Sequence, residues 1–304
     1  MDATTRMFRA VSVMPIRFAA AEQRRAVRLL KHLGPRDLLA LDRRYYSVWF
    51  LRELLQQKIH FLVRVPAHAK PKIIRKLGKG DYLVSIQAPV LLPPGQVRIN
   101  ARGRLATPET VTLTVSMIVY HLPGHEPVRL VTSLTDPVAI PARDLAVGYH
   151  QRWEVELGYD ETKVHLATVL HGTLHTIFRC KSPRLVMQEL YAMLITYNVV
   201  REIMAAAGQR HGLNPLHISF VDTVQVLVNS MPELKRAKAI ELPRLYERLL
   251  QDIADCRLLR PRRPRRYARV VKIKMSNFKL KRGHHVQEIR DFARELTLGA
   301  RRAG

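Results

Sequence analysis

The sequence predicts an α/β protein in which an α/β core is interrupted by a β-rich insertion and followed by a helical C-terminal part. Three observations carry that prediction. Helical and strand patterns alternate over residues 1–60. Runs of β-branched residues, divided by Gly and Pro, fill residues 61–138. Helical spacing then returns over residues 139–255, and a basic arm closes the chain at 256–304.

The first segment sets out a helix, a strand and a second helix. Ala26, Leu29, Leu30 and Leu33 recur at helical spacing within Ala21–Leu33, and Gly34-Pro35 stops that helix. Asp37–Asp42 (DLLALD) is a short apolar run bounded by charges, the pattern of a buried strand. Ser47–Gln57 is then a helix with Ser47 as its N-cap. Strand, turn and helix therefore meet at Asp42–Ser47. In open α/β sheets, ligands bind at the carboxyl ends of strands.

In the second segment the strand candidates are FLVRV, YLVSI, QVRINARGRL, TVTLTVSMIVYHL and PVRLVTSL, with turn signals at GKGD, LPPG and LPGH. Val111, Leu113, Val115, Met117 and Val119 alternate strictly, as in a half-buried antiparallel strand. In the third segment Pro141 suits the first turn of a helix running to about Leu166. A second helix follows Pro183. Its uncharged middle, Leu190–Val200, predicts burial on most sides.

Charge narrows the function. The 304 residues hold 51 Lys and Arg against 25 Asp and Glu, a formal charge of +26. A polyanion relieves such self-repulsion, so nucleic acid is the leading partner class. Residues 257–282 alone contain 12 Lys and Arg and no acid. That stretch reads as a phosphate-binding arm, with Arg262, Arg263, Arg265, Arg266, Lys272 and Lys274 as contacts. Hydrophobic residues make up 47%, enough for a core. Two cysteines, Cys180 and Cys256, give no disulfide scaffold and fit a reduced cytoplasmic setting. No membrane span, signal peptide or P-loop is read, so neither a membrane nor a nucleotide cofactor is expected. His121, His125, His165, His171 and His175 lack a partner at metal spacing, and zinc is not expected.

Two constellations could carry chemistry. Asp42 ends the predicted strand, where a carboxylate needs a metal, or Arg43 or Arg44, to meet its charge. Tyr149, Arg152, Glu156 and Lys163 lie at offsets 0, 3, 7 and 14. At about 100° per residue they share one helical face within roughly 60°. Trp153, Val155, Leu157 and Tyr159 keep the rest of that helix apolar, which predicts a polar stripe set in buried surface.

Tyr-x(2)-Arg-x(3)-Glu-x(6)-Lys resembles the signature of DDE transposases of the fourth insertion-sequence family of bacteria. DRRYYS (Asp42–Ser47) resembles the block carrying that family's second catalytic Asp, and residues 179–220 resemble its later helical segment. The resemblance implies a ribonuclease-H-like core with a β-rich insertion between Asp and Glu. It implies Asp42 and Glu156 as catalytic, metal-binding carboxylates for two Mg²⁺ ions, and Tyr149, Arg152 and Lys163 as DNA-phosphate contacts, with Arg43 beside them. In such chemistry two metals activate water or a 3′-hydroxyl and stabilise the leaving oxygen of a phosphodiester. Transposon ends and target DNA are the implied partners, with a homodimer in synapsis.

Two departures are expected to matter. Arg44 stands where the family has Gly, so a turn needing positive φ would be strained. Only 41 residues precede Asp42, and Asp2 is the sole acid before Glu22. The sequence thus predicts an incomplete core that lacks the first catalytic Asp and an N-terminal DNA-binding part, with an exposed sheet edge at DLLALD. Three readings follow: a transposase that cuts and joins DNA, a truncated derivative that holds transposon DNA without cutting it, and a basic RNA-binding protein. The intact Tyr149–Lys163 signature argues against the third.

Deleting residues 257–304 is expected to weaken binding to all DNA sequences and flatten its salt dependence. Affinities across a salt series test this, and an unchanged slope counts against the arm.

Overall fold

The computed structural model describes residues 1–13, 22–89, 110–123, 125–172, 176–258, 269–270, 279–280 and 291–299. The chain divides into two units. A sheet unit comprises Met14–Arg152 and Pro264–Gly304, and a helical unit comprises Met1–Val13 and Trp153–Arg263.

In the sheet unit, α1 (Glu22–Val27) precedes β1 (Leu38–Leu41), α2 (Val48–Gln56) and β2 (His60–Arg64). Then come β3 (Lys72–Gly78), β4 (Asp81–Pro89), β5 (Thr110–His121), β6 (Val128–Thr132) and α3 (Ala142–His150). In the helical unit lie α4 (Glu154–Asp160), α5 (Leu166–His171), α6 (Pro183–Arg210), α7 (Phe220–Arg236) and α8 (Leu242–Asp255). The chain closes, back in the sheet unit, with β7 (Arg269–Val270), β8 (Lys279–Leu280), α9 (Phe292–Glu295) and β9 (Thr297–Leu298). The architecture is mixed α/β, as the sequence predicts.

The main sheet runs β1-β2-β6-β5-β4-β3, with β9 added against β5. β1 and β2 are parallel, with Leu41 beside Val63, and the remaining pairings are antiparallel. The strands of residues 61–138 therefore share one sheet with β1. β3 was not foreseen. It is lysine-rich and exposed along most of its length, so no buried stripe announces it. QVRINARGRL lies outside the described residues.

One sheet face packs on α2. Phe50, Leu51 and Leu54 meet Val63, Val84, Ile86, Val115 and Met117 in a single core. The row expected on β5 does share one face, with Leu113, Val115 and Met117 buried in this core and Val111 and Val119 packed against it. Exposed residues alternate with it only at Thr112 and Thr114, because Ser116 and Ile118 are buried on the other face. On the opposite face Ile118, Tyr120 and Leu130 pack with Leu145 of α3 and Phe292 of α9. Phe292 stacks on His150 at 4.4 Å between ring centroids.

Several local expectations are corrected. The first helix is only six residues long, and Leu30–His32 forms a tighter 3₁₀ turn. β1 is buried only at Leu41, since as an end strand its Leu38 is 45% exposed. The middle of α6 is not buried all round. Leu194, Tyr197 and Val200 face the helical core, whereas Tyr191, Ile195 and Val199 are exposed. Missing charge there marks an apolar surface and not burial.

Gly80 (φ +69°) lets the tail approach the β3–β4 turn. A Cβ there would lie 2.6 Å from the Val119 carbonyl oxygen and would also collide with Gly299 N. Gly80→Ala is expected to destabilise the sheet unit by about 1–3 kcal/mol, read as a lower melting temperature. Faster amide exchange at residues 297–299 should accompany the loss.

Candidate functional site

In the sheet unit the site is built at the end of β1. Asp42 leaves the strand and caps the 3₁₀ turn Arg43–Tyr45, accepting from Arg44 N at 3.3 Å. Ser47 then caps α2, as predicted, by accepting from Phe50 N. Helix α1 clamps this loop. Tyr45 OH donates to Glu22 at 2.7 Å, Ser47 Oγ to Gln23 at 2.9 Å, and Gln23 bonds the Arg44 carbonyl.

Two signature residues converge on the same place. The Tyr149 hydroxyl, at the end of α3, donates to the Leu41 carbonyl at 2.9 Å. Arg152 Nη1 lies 3.6 Å from Asp42 Oδ2. Burial pushes the Tyr149 phenol up to about 12, with Asp42 raising it further while Arg152 and Arg64 oppose. The hydroxyl expected to face phosphate is thus committed to the backbone beside Asp42. Arg43 is exposed.

The expected cost of burying Asp42 is not incurred, because its side chain is 51% exposed. An ion pair this open contributes at most about 1 kcal/mol. The expected strain at Arg44 is also absent. Arg6 and Lys58 are the non-glycine residues with positive φ among those described, and the 3₁₀ turn accepts Arg44 as it stands.

Glu156 and Lys163 belong to the helical unit, and both are exposed. The single helical stripe is corrected. Gln151–Trp153 is a 3₁₀ turn and Glu161–His165 a π segment, so 100° per residue does not hold from Tyr149 to Lys163. Nor is the surrounding surface buried, since Trp153 and Tyr159 are 46% and 45% exposed. Lys163 Nζ lies 5.4 Å from the Tyr159 ring centroid, in cation–π range. Arg262, Arg263, Arg265, Arg266, Lys272 and Lys274 lie outside the described residues.

The sequence missed the charge cluster that supports this helical run. Glu161, 2% exposed, accepts from Arg6 Nη1 at 2.6 Å, from Tyr197 OH at 2.9 Å and from Arg201. Arg6 Nε also reaches Glu154 at 2.6 Å. Burial first, and the Glu161 carboxylate second, push the Tyr197 phenol well above its ordinary range. The available signal was Arg201, one turn after Tyr197 at the end of an uncharged helical stretch.

Residues 2–199 match the model of the transposase DDE domain. The chain belongs to that transposase family. It is 31% identical over 255 residues to transposase InsG for insertion sequence element IS4 of Escherichia coli (strain K12). The match covers 83% of this chain and 54% of InsG, so the chain spans about half the length of that relative. Members of this family depend on divalent metal ions. Among the described residues, however, no group of three or more His, Cys, Asp or Glu side chains could hold one. The described side chains do not form a complete metal cage. No helix among the described residues is long and apolar enough to cross a membrane.

Tyr149→Phe is expected to cost about 1 kcal/mol at neutral pH by leaving the Leu41 carbonyl without that donor. The wild-type phenol is harder to ionise in the fold, so its contribution is intact below pH 10 and is lost as pH rises towards 12. The stability gap between wild type and variant should therefore close across pH 10–12. Denaturant unfolding at several alkaline pH values measures it.

Proposed function

We propose that this chain carries out DNA transposition, the cleavage of phosphodiesters at insertion-sequence ends and their transfer to target DNA. The observation that carries the reading is the family match across residues 2–199, which includes Asp42 and the full Tyr149-Arg152-Glu156-Lys163 spacing. Asp42 and Glu156 are the proposed catalytic carboxylates and Mg²⁺ ligands. Arg152, Lys163 and Arg43 are proposed to meet the DNA backbone, with the basic C-terminal arm adding sequence-independent affinity. Two copies of the chain are proposed to pair two element ends.

The residues support the parts of this reading differently. Asp42 is solvent-accessible and already held near a guanidinium, so an approaching cation would compete with Arg152 for Asp42, and a phosphate would compete with Asp42 for Arg152. Tyr149 fixes the strand end from which Asp42 projects, which makes it a positioning residue in this scheme. Exposed Lys163 carries its charge on a helical run anchored by the buried Glu161 cluster.

Duplexes bearing matched element ends test the reading, with cutting and strand transfer followed in Mg²⁺. Asp42→Asn and Glu156→Gln are each expected to reduce cutting by more than about 10³-fold. Glu156→Gln should leave gel-shift affinity intact or slightly stronger, because it removes a negative charge near phosphate. A tenfold loss of affinity would instead make Glu156 a binding residue. The same assay separates cutting from a reading in which the chain holds transposon DNA without cutting it.

A further inference from the structure

The sheet has one face that is only half covered. On the side packed by α3 and α9, burial runs from Leu130 and Ile118 as far as Ser116 and stops there. Beyond Ser116, Thr112 and Thr114 of β5 and Gln87 of β4 are exposed, and Ser85 is half-buried. Cross-strand register places Lys72 opposite Ser85 and Ser85 opposite Thr114, so these three form one row across β3, β4 and β5. Arg75, Leu83 and Ser116 form the next row, and Gln87 pairs with Thr112. Residues directly opposite share a face.

Lys72 and Arg75 are three residues apart, and in a regular strand they would point to opposite faces. The register shifts between Ile73 and Arg75, so Arg75 sits opposite Leu83. That β-bulge brings both cations to the open face, and re-aiming a side chain is what bulges do. Both are exposed. The nearest carboxylate on these strands, Asp81, is 4% exposed and is turned inward onto Ser116 Oγ. The open face thus offers two cations, hydroxyls and a carboxamide, with no exposed acid on residues 72–87.

We infer that this open sheet face, built from residues outside the Tyr149–Lys163 signature, is a docking track for the sugar–phosphate backbone of duplex DNA. Arg, Lys, Ser, Thr and Gln side chains are the types that contact phosphate and sugar, and such contacts position a duplex without reading its sequence. The inference rests on the DNA-binding part of the proposed function. It adds a second contact surface, built by the β-bulge, to that function.

Fluorescence anisotropy with an arbitrary duplex, across a salt series, tests it on the full chain. Lys72→Ala with Arg75→Ala should weaken binding about tenfold near physiological salt. The log–log salt slope should fall by roughly 1.8, or 0.9 for each lost phosphate contact. Lys235→Ala with Arg236→Ala, an exposed pair on α7 with the same charge change, is the control and should lose much less. Lys72→Gln with Arg75→Gln keeps more side-chain length and should reproduce the loss if the Ala pair melts early. Equal losses for the two pairs would reduce the effect to net charge and overturn the track, while DNA binding itself would stand. Loss on duplex RNA or anionic vesicles with DNA unaffected would overturn it as well. A wild-type chain that binds no duplex at all would remove the DNA reading and the track together.

Discussion

A carboxylate that cannot reach water holds the helical unit together. Glu161 is almost wholly enclosed, and an isolated buried charge would cost several kcal/mol. The fold meets it with Arg6 from the start of the chain, Arg201 from α6 and the Tyr197 hydroxyl. Arg201 also lies over the Phe220 ring at 5.2 Å, which ties α7 to the same cluster. Residues 1–13 are therefore part of this unit's core, and Phe8 packs between the rings of Tyr159 and Tyr197. Arg6 adopts φ +60°, an uncommon conformation for a side-chain-bearing residue. Two short ion pairs to Glu154 and Glu161 offset that strain.

The sheet unit solves a different problem. A single strand end must be held still while its terminal carboxylate stays open to solvent. Tyr149 grips the Leu41 carbonyl from the buried side, α1 holds the following turn through Glu22 and Gln23, and Arg152 lies near Asp42 from α3's end. Rigidity comes from one buried and several part-buried hydrogen bonds, one of them to the Glu22 carboxylate, while Asp42 itself stays exposed. The same economy is visible across the sheet. One face is sealed by α2, while the other is sealed only as far as Ser116, leaving a polar surface at β3–β5.

Much of the fold was legible because local patterns agreed with burial. The Ser47 cap, the shared face of Leu113, Val115 and Met117 on β5, the helix after Pro183 and the α/β class all follow from periodicity and capping chemistry. β3 was illegible because an exposed strand has no apolar period. The extent of α6 burial was not legible because a run without charge looks the same whether a neighbour covers it or water does. The signature spacing was legible as a motif, but its geometry was not. A 3₁₀ turn and a π segment interrupt the helix, and neither leaves a residue pattern that distinguishes it from regular α-helix.

By itself the sequence determined the transposase family, the α/β class, the large positive charge and the identities of the candidate carboxylates, because each is a matter of residue type and spacing. Tertiary structure alone decided what those residues touch. It turned Tyr149 to a backbone carbonyl, set Arg152 beside Asp42, enclosed Glu161 between two distant arginines and used a β-bulge to put Lys72 and Arg75 on one face. These contacts join residues up to 155 positions apart. No local preference encodes such partners. They arise from the need to pair buried charge and buried donors once the chain has closed on itself.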